Sequence, residues 1–183
     1  GARAGDVLVL GKPLGVGVLS AALKKGALDA AGYAAMIAST TQLNTPGRQL
    51  ANLDTVHALT DITGFGLLGH LLEVCRGAQL TASLDMAAIP MLAGVEQLAT
   101  AGYITGASAR NWTAYGDDVT LDAAITTMQR ALLTDPQTSG GLLVACDPTA
   151  VDAVLEVFRA EGFAAAAVVG RLESGPARVT VGA

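Results

Sequence analysis

The chain has 183 residues, enough for one domain over 1–183 with a sizeable core. Its formal charge is −5 and it has no basic stripe with interleaved aromatics, which argues against nucleic acid as a direct partner. No run approaches the roughly 20 apolar residues that span a bilayer, so no membrane partner is expected. Hydrophobic residues make up 51% of the chain but aromatics only 4%, so Ala, Leu, Val and Ile must build the core. Cys75 and Cys146 lie far apart in apolar stretches without metal-binding spacing, and read as buried free thiols of a cytosolic protein. The opening GARAG lacks an initiator Met and leads at once into apolar sequence, which reads as a fragment or an isolated domain.

In chain order, Asp6–Leu10 (DVLVL) predicts a buried strand, Val16–Lys24 a helix and Leu28–Thr41 an Ala-rich helix broken at Pro46-Gly47. Arg48–Ala58 predicts a further short helix ending near His57. Leu67–Cys75 predicts a helix with two apolar rows, Leu67/Leu71/Cys75 and Leu68/Leu72, ended by Gly77. Gln79–Leu84 alternates weakly and reads as strand, and Ile89–Ala101 as helix closed by Gly102. Tyr103–Gly116 is polar and irregular and reads as loop; Val119–Leu133 reads as helix. Gly141–Cys146 predicts a strand, Pro148–Glu161 a helix, and Ala164–Leu172 and Ala177–Val181 a hairpin through a Gly-Pro turn. The predicted class is therefore α/β (α+β), a mixed sheet packed by helices.

Two glycine-bearing segments carry chemistry. In Thr60–His70 (TDITGFGLLGH), Asp61 is either an oxygen ligand for Mg²⁺ or a cap for the next helix. Thr63, Gly64 and Gly66 could bring hydroxyl and backbone N–H groups close to a phosphate, although the spacing fits neither a Walker motif nor a dinucleotide fingerprint. His70 has Glu73 within reach on a helix surface, and His57 has no visible partner. In Thr134–Gly141 (TDPQTSGG), Thr138 and Ser139 belong either to an anion-binding nest or to a satisfied turn. Lys12, Arg110 and Asn111 could meet a phosphate, yet Lys12 and Arg110 read more simply as surface charges. Trp112 shelters a ligand or pins its loop.

Gly11–Leu19 (GKPLGVGVL), Thr60–His70, Ala109-Arg110-Asn111 with Tyr115-Gly116, and Asp135–Leu143 (DPQTSGGLL) together resemble the selenophosphate synthetase family, also called selenide, water dikinase. The resemblance covers nearly the whole chain and corresponds to the family's C-terminal domain. It implies the α/β fold shared with aminoimidazole ribonucleotide synthetase, and an enzyme that makes selenophosphate from selenide, ATP and water with release of AMP and phosphate. It also implies Mg²⁺, a homodimer, and ATP held mainly by N-terminal domains that are absent here. Asp61 resembles the family's C-domain metal-binding aspartate. The family's cysteine or selenocysteine and its catalytic lysine belong to the absent half, so no catalytic residue is assigned to this chain, which is expected to be inactive alone. Two other readings stay open: another ligase or kinase of the superfamily, or a non-catalytic interaction domain.

Overall fold

A computed structural model describes all 183 residues. Its first strand, β1 (Val7–Leu10), is the one the DVLVL run predicts, and its alternation sets the architecture. Leu8 and Leu10 face one side and Val9 the other, and all three are fully buried, so both faces of the sheet must be covered here. On the Leu8/Leu10 side lies α4 (Gly66–Ala78), whose predicted rows Leu67/Leu71/Cys75 and Leu68/Leu72 are all completely buried in the main core. On the Val9 side lies α8 (Val151–Ala160), with Val154, Val157 and Phe158 turned inward. Its Asp152, Glu156 and Arg159 face solvent, the division expected of a helix covering a sheet.

The remaining strands are β2 (Val56–Asp61), β3 (Leu80–Asp85), β4 (Val119–Leu121), β5 (Leu142–Cys146), β6 (Ala167–Ser174) and β7 (Arg178–Gly182). They form one seven-stranded mixed sheet in the order β2-β5-β1-β6-β3-β7-β4. Four pairings are antiparallel, and β7 pairs in parallel with both β3 and β4. A third apolar cluster joins α1 (Val16–Lys24), α2 (Ala30–Thr41), α5 (Val95–Thr100) and α7 (Thr127–Leu133) beside the sheet.

Several expectations give way. The hairpin at the C-terminus is absent: β3 lies between β6 and β7, and Thr81 Oγ1 donates to the Pro176 carbonyl (2.7 Å) to hold the connecting turn. The helix expected over Arg48–Ala58 is only α3 (Pro46–Leu50), and His57 belongs to β2. Tyr103–Gly116 is not a loop but contains α6 (Gly106–Tyr115), capped by the Thr105 hydroxyl accepting from the Ser108 N–H. Val119–Leu133 divides into β4 and α7, which opens on a reciprocal cap between Thr126 and Gln129. The helix over Ile89–Ala101 shrinks to α5. Gln79, not Gly77, ends α4, in the left-handed conformation.

Candidate functional site

The two glycine-bearing segments leave neighbouring strands at the same end of the sheet. Asp61 is the last residue of β2, paired with Leu142 of β5, and β2 is an open edge of the sheet. Beyond that pair the chains stay together: Ile62 N–H donates to Gly141 O (2.9 Å), and Gln137 N–H to Thr63 O (2.9 Å). Two of the glycines serve this close approach. A Cβ on Gly140 would collide with the Ile62 carbonyl, and one on Gly66 would stand 2.7 Å from the Thr134 carbonyl carbon. Gly66 also has φ +69°, a backbone conformation that favours glycine. Gly64 differs: nothing lies within 4 Å of a Cβ placed there, so its backbone is open to an incoming group. Asp61, Gly64, Thr138 and Ser139 are exposed on this rim, whereas Thr63 is half-buried.

From the other side, α6 braces the same turn. Asn111 Nδ2 donates to both Gly64 O (2.9 Å) and Thr134 O (3.0 Å), tying the two segments together. One turn further on, Tyr115 Oη donates to Phe65 O (2.5 Å). Ser108 shares a 2.6 Å hydroxyl contact with Thr134. These three inward positions explain why α6 escapes an apolar-periodicity reading: its buried stripe is polar. Arg110, the neighbour of Asn111, is exposed. Asn111 is buried, and its amide is spent on backbone carbonyls rather than presented to solvent. Trp112 packs under the Arg130 guanidinium (4.9 Å to the ring centroid), so it pins α6 to α7.

Asp135 and Gln137 face inward. Asp135 Oδ2 accepts from the N–H groups of Gly17 (2.9 Å) and Val18 (3.3 Å), and Gln137 Oε1 from those of Gly15 and Val16 (3.2 Å each). Together they satisfy the N-terminal donors of α1, which has no cap of its own. Burial pushes the Asp135 carboxyl up to about 7, against the pull of the Val18, Gln137 and Gly17 donors. Its Oδ1 has no hydrogen-bond partner. A Cβ on Gly17 would run into this carboxylate, which accounts for the glycine.

Lys12 is not a surface charge. It is only 2% exposed, and its ammonium donates to the carbonyls of Ser39 (3.0 Å), Gln42 (2.7 Å) and Ser139 (2.7 Å). With three donors engaged, it fastens the 134–141 segment to the end of α2 and has none left for a phosphate. Burial lowers its pKa.

Both histidines have partners. His70 Nε2 lies 3.0 Å from Thr63 Oγ1 and Nδ1 lies 3.5 Å from Glu73, with the exposed Phe65 ring tilted beside it. His57 Nδ1 pairs with Asp6 (2.7 Å), both side chains nearly buried. Val7 and Val56 both sit opposite Cys146, so the sheet register brings Asp6 and His57 together across some fifty residues of sequence. No local pattern could reveal that pair.

Nowhere do three His, Cys, Asp or Glu side chains gather as a metal site. Asp61 lines none of five surface clefts, those beside Val7 and Gly182, Leu19 and Leu98, Gly11 and Ala165, Ile104 and Thr134, and Gln49 and Ala160. The rim therefore offers one carboxylate, one open glycine backbone and two exposed hydroxyl residues on a rigid support, and leaves the far side of any ligand uncovered.

Residues 3–182 match the family described as AIR synthase related protein, C-terminal domain, and the chain belongs to that family. Among curated proteins it is similar to those named selenide, water dikinase. It is 68% identical over 180 residues to the one from Burkholderia orbicola (strain MC0-3), 64% over 181 residues to that of Pseudomonas straminea, and 52% over 181 residues to that of Rhizobium meliloti (strain 1021). These matches cover 98–99% of this chain but 51–52% of the relatives, so the chain spans about half their length. Among solved structures, Escherichia coli HypE aligns with a TM-score of 0.69 at 21% identity, over 99% of this chain and 47% of that one. Thiamine-monophosphate kinase from Stenotrophomonas maltophilia K279a aligns with a TM-score of 0.65 at 18% identity, over 98% and 51%. At those identities the likeness establishes the fold.

Proposed function

We propose that the chain is the C-terminal half of a selenide, water dikinase, which makes selenophosphate from selenide, ATP and water with release of AMP and phosphate. The observation that carries this reading is Asp61: an exposed carboxylate at the free end of an edge strand, beside an open glycine, on a turn held by α6 and by the 134–141 segment. The similarity over the whole chain to proteins of that name supports it. The reading brings ATP as substrate, Mg²⁺ as metal, a homodimer and a cytosolic setting. Two fully buried, unpaired thiols are in keeping with a reducing compartment.

The donor set fits magnesium only as a share of a site. Asp61 supplies one hard oxygen ligand, and an octahedral site needs several more from the other half of the protein and from the phosphates. Bound there, the metal would offset phosphate charge. This chain's own residues position that contribution. Asn111 and Tyr115 fix the carbonyls of Gly64 and Phe65, so the turn after Asp61 has one shape before substrate arrives. The Thr63 hydroxyl is committed to His70, which leaves the Gly64 backbone, Thr138 and Ser139 as the rim groups able to meet phosphate oxygens, while the Arg110 guanidinium lies beside Gly106 on α6. Replacing Asp61 with Asn in the full-length protein should lower selenide-dependent AMP release by about 100-fold or more, with the melting temperature unchanged. Wild-type turnover in that variant would remove Asp61 from the site.

A further inference from the structure

The second helix is dressed for an interior that the rest of the chain does not provide. α2 reads AAGYAAMIASTT and contains no charged residue. Its inner face packs Met36 and Ser39 against α1 and its neighbours. Its outer face, at helical spacing, carries Ala30, Tyr33, Ala34 and Ile37, and all four are exposed. Leu23 at the end of α1 and Leu43 just beyond α2 are exposed as well, Leu43 to 76%. By contrast α8, ten residues long on the opposite face of the sheet from α4, turns Asp152, Glu156 and Arg159 to solvent. A helix in water normally turns a charged or polar face outward, and depletion of charge at its centre is what distinguishes an interface from ordinary surface.

We infer that the outer face of α2 is the docking surface for the half of the full-length protein that this chain does not contain. The inference rests on the proposed reading of the chain as one half of a longer enzyme. Two observations favour that occupant over a second copy. The relatives are about twice as long, so on that reading a half of similar size is joined to this domain by the same polypeptide and is held near it at high effective concentration. The patch also runs into the candidate site: Asn44 Nδ2 donates to Gly140 O (2.8 Å), and Lys12 joins the Gln42 carbonyl at the end of α2 to that of Ser139. A body seated on α2 and Leu43 would therefore lie beside the rim carrying Asp61.

Thiol labelling of the full-length protein tests this. Ile37→Cys, with Tyr33→Cys as a second variant, is compared with Ala123→Cys, an exposed loop position in the same domain. Maleimide incorporation is located by peptide mass. Within this domain Cys75 and Cys146 are buried and contribute little background, and the peptide masses separate any thiol of the other half. The expected result is labelling at least about tenfold slower at positions 37 and 33 than at 123, independent of protein concentration. Equal rates would overturn the inference, and so would protection that disappears on dilution, since a second copy would then be the cover. Selenide-dependent AMP release by the wild-type protein is scored separately. An inactive protein with a protected α2 sinks the activity and keeps the docking surface; an active protein with an unprotected α2 does the reverse.

Discussion

Asp135 shows how one side chain can be mistaken for a ligand group. It lies in a glycine-rich segment, yet it faces α1 and takes that helix's first N–H groups. Its carboxyl is raised from 3.8 to about 7 chiefly by burial, so the folded state binds its proton more tightly than the unfolded chain does. The resulting stabilisation is complete below about pH 4 and is lost as pH rises through about 7. Urea midpoints taken between about pH 5 and pH 8 should fall for the wild type relative to Asp135→Asn, with a slope of up to about 1.4 kcal/mol per pH unit. Parallel curves for the two proteins would show that the neighbouring donors hold the carboxylate ionised throughout. Lys12 is the matching case of opposite sign, a buried cation held by three carbonyls and no carboxylate.

Among the elements, α6 has the largest influence on the candidate site. Its Asn111 amide bridges two carbonyls on two segments, and Asn111→Ala leaves both without that donor. Urea denaturation should register a loss of about 2 kcal/mol. On the proposed reading, turnover of the full-length protein should fall further for Asn111→Ala than for Tyr115→Phe, because Tyr115 holds only one carbonyl. This helix also shows the limit of what a sequence displays. Periodic apolar rows make the core of α4 legible, though not its C-terminal end, and a continuous apolar run places β1 and β5 to within a residue. In α6 the inward positions Ser108, Asn111 and Tyr115 have helical spacing but polar chemistry, so a search for apolar rows passes over them. The place of Asp61 at the head of a glycine turn is readable. That Gly66 and Gly140 serve packing, while Gly64 stays open, depends on contacts between segments some seventy residues apart.

For the whole molecule, the decisive property is that the rim around Asp61 is one-sided. With one exposed carboxylate on that rim and no group of three His, Cys, Asp or Glu side chains gathered anywhere, the 183-residue chain should release no phosphate from ATP in the presence of selenide and Mg²⁺. On the proposed reading, adding the other half of the full-length protein should restore turnover, measured as AMP formed. Phosphate release by the chain alone would mean that it holds a complete site.

The strand order carries one more consequence. Read as β2-β5-β1-β6-β3-β7-β4, it alternates without exception between the first four strands and the last three. No two of β1, β2, β3 and β4 are neighbours, so a nascent polypeptide that has emerged only as far as Gly141 possesses no ladder of this sheet. The sheet must assemble after the ribosome has delivered β5, β6 and β7, by pairings that span long loops and are slow to close. Until then the apolar segments of the early strands wait unpaired, the interval in which a chaperone or a neighbouring nascent chain would find them.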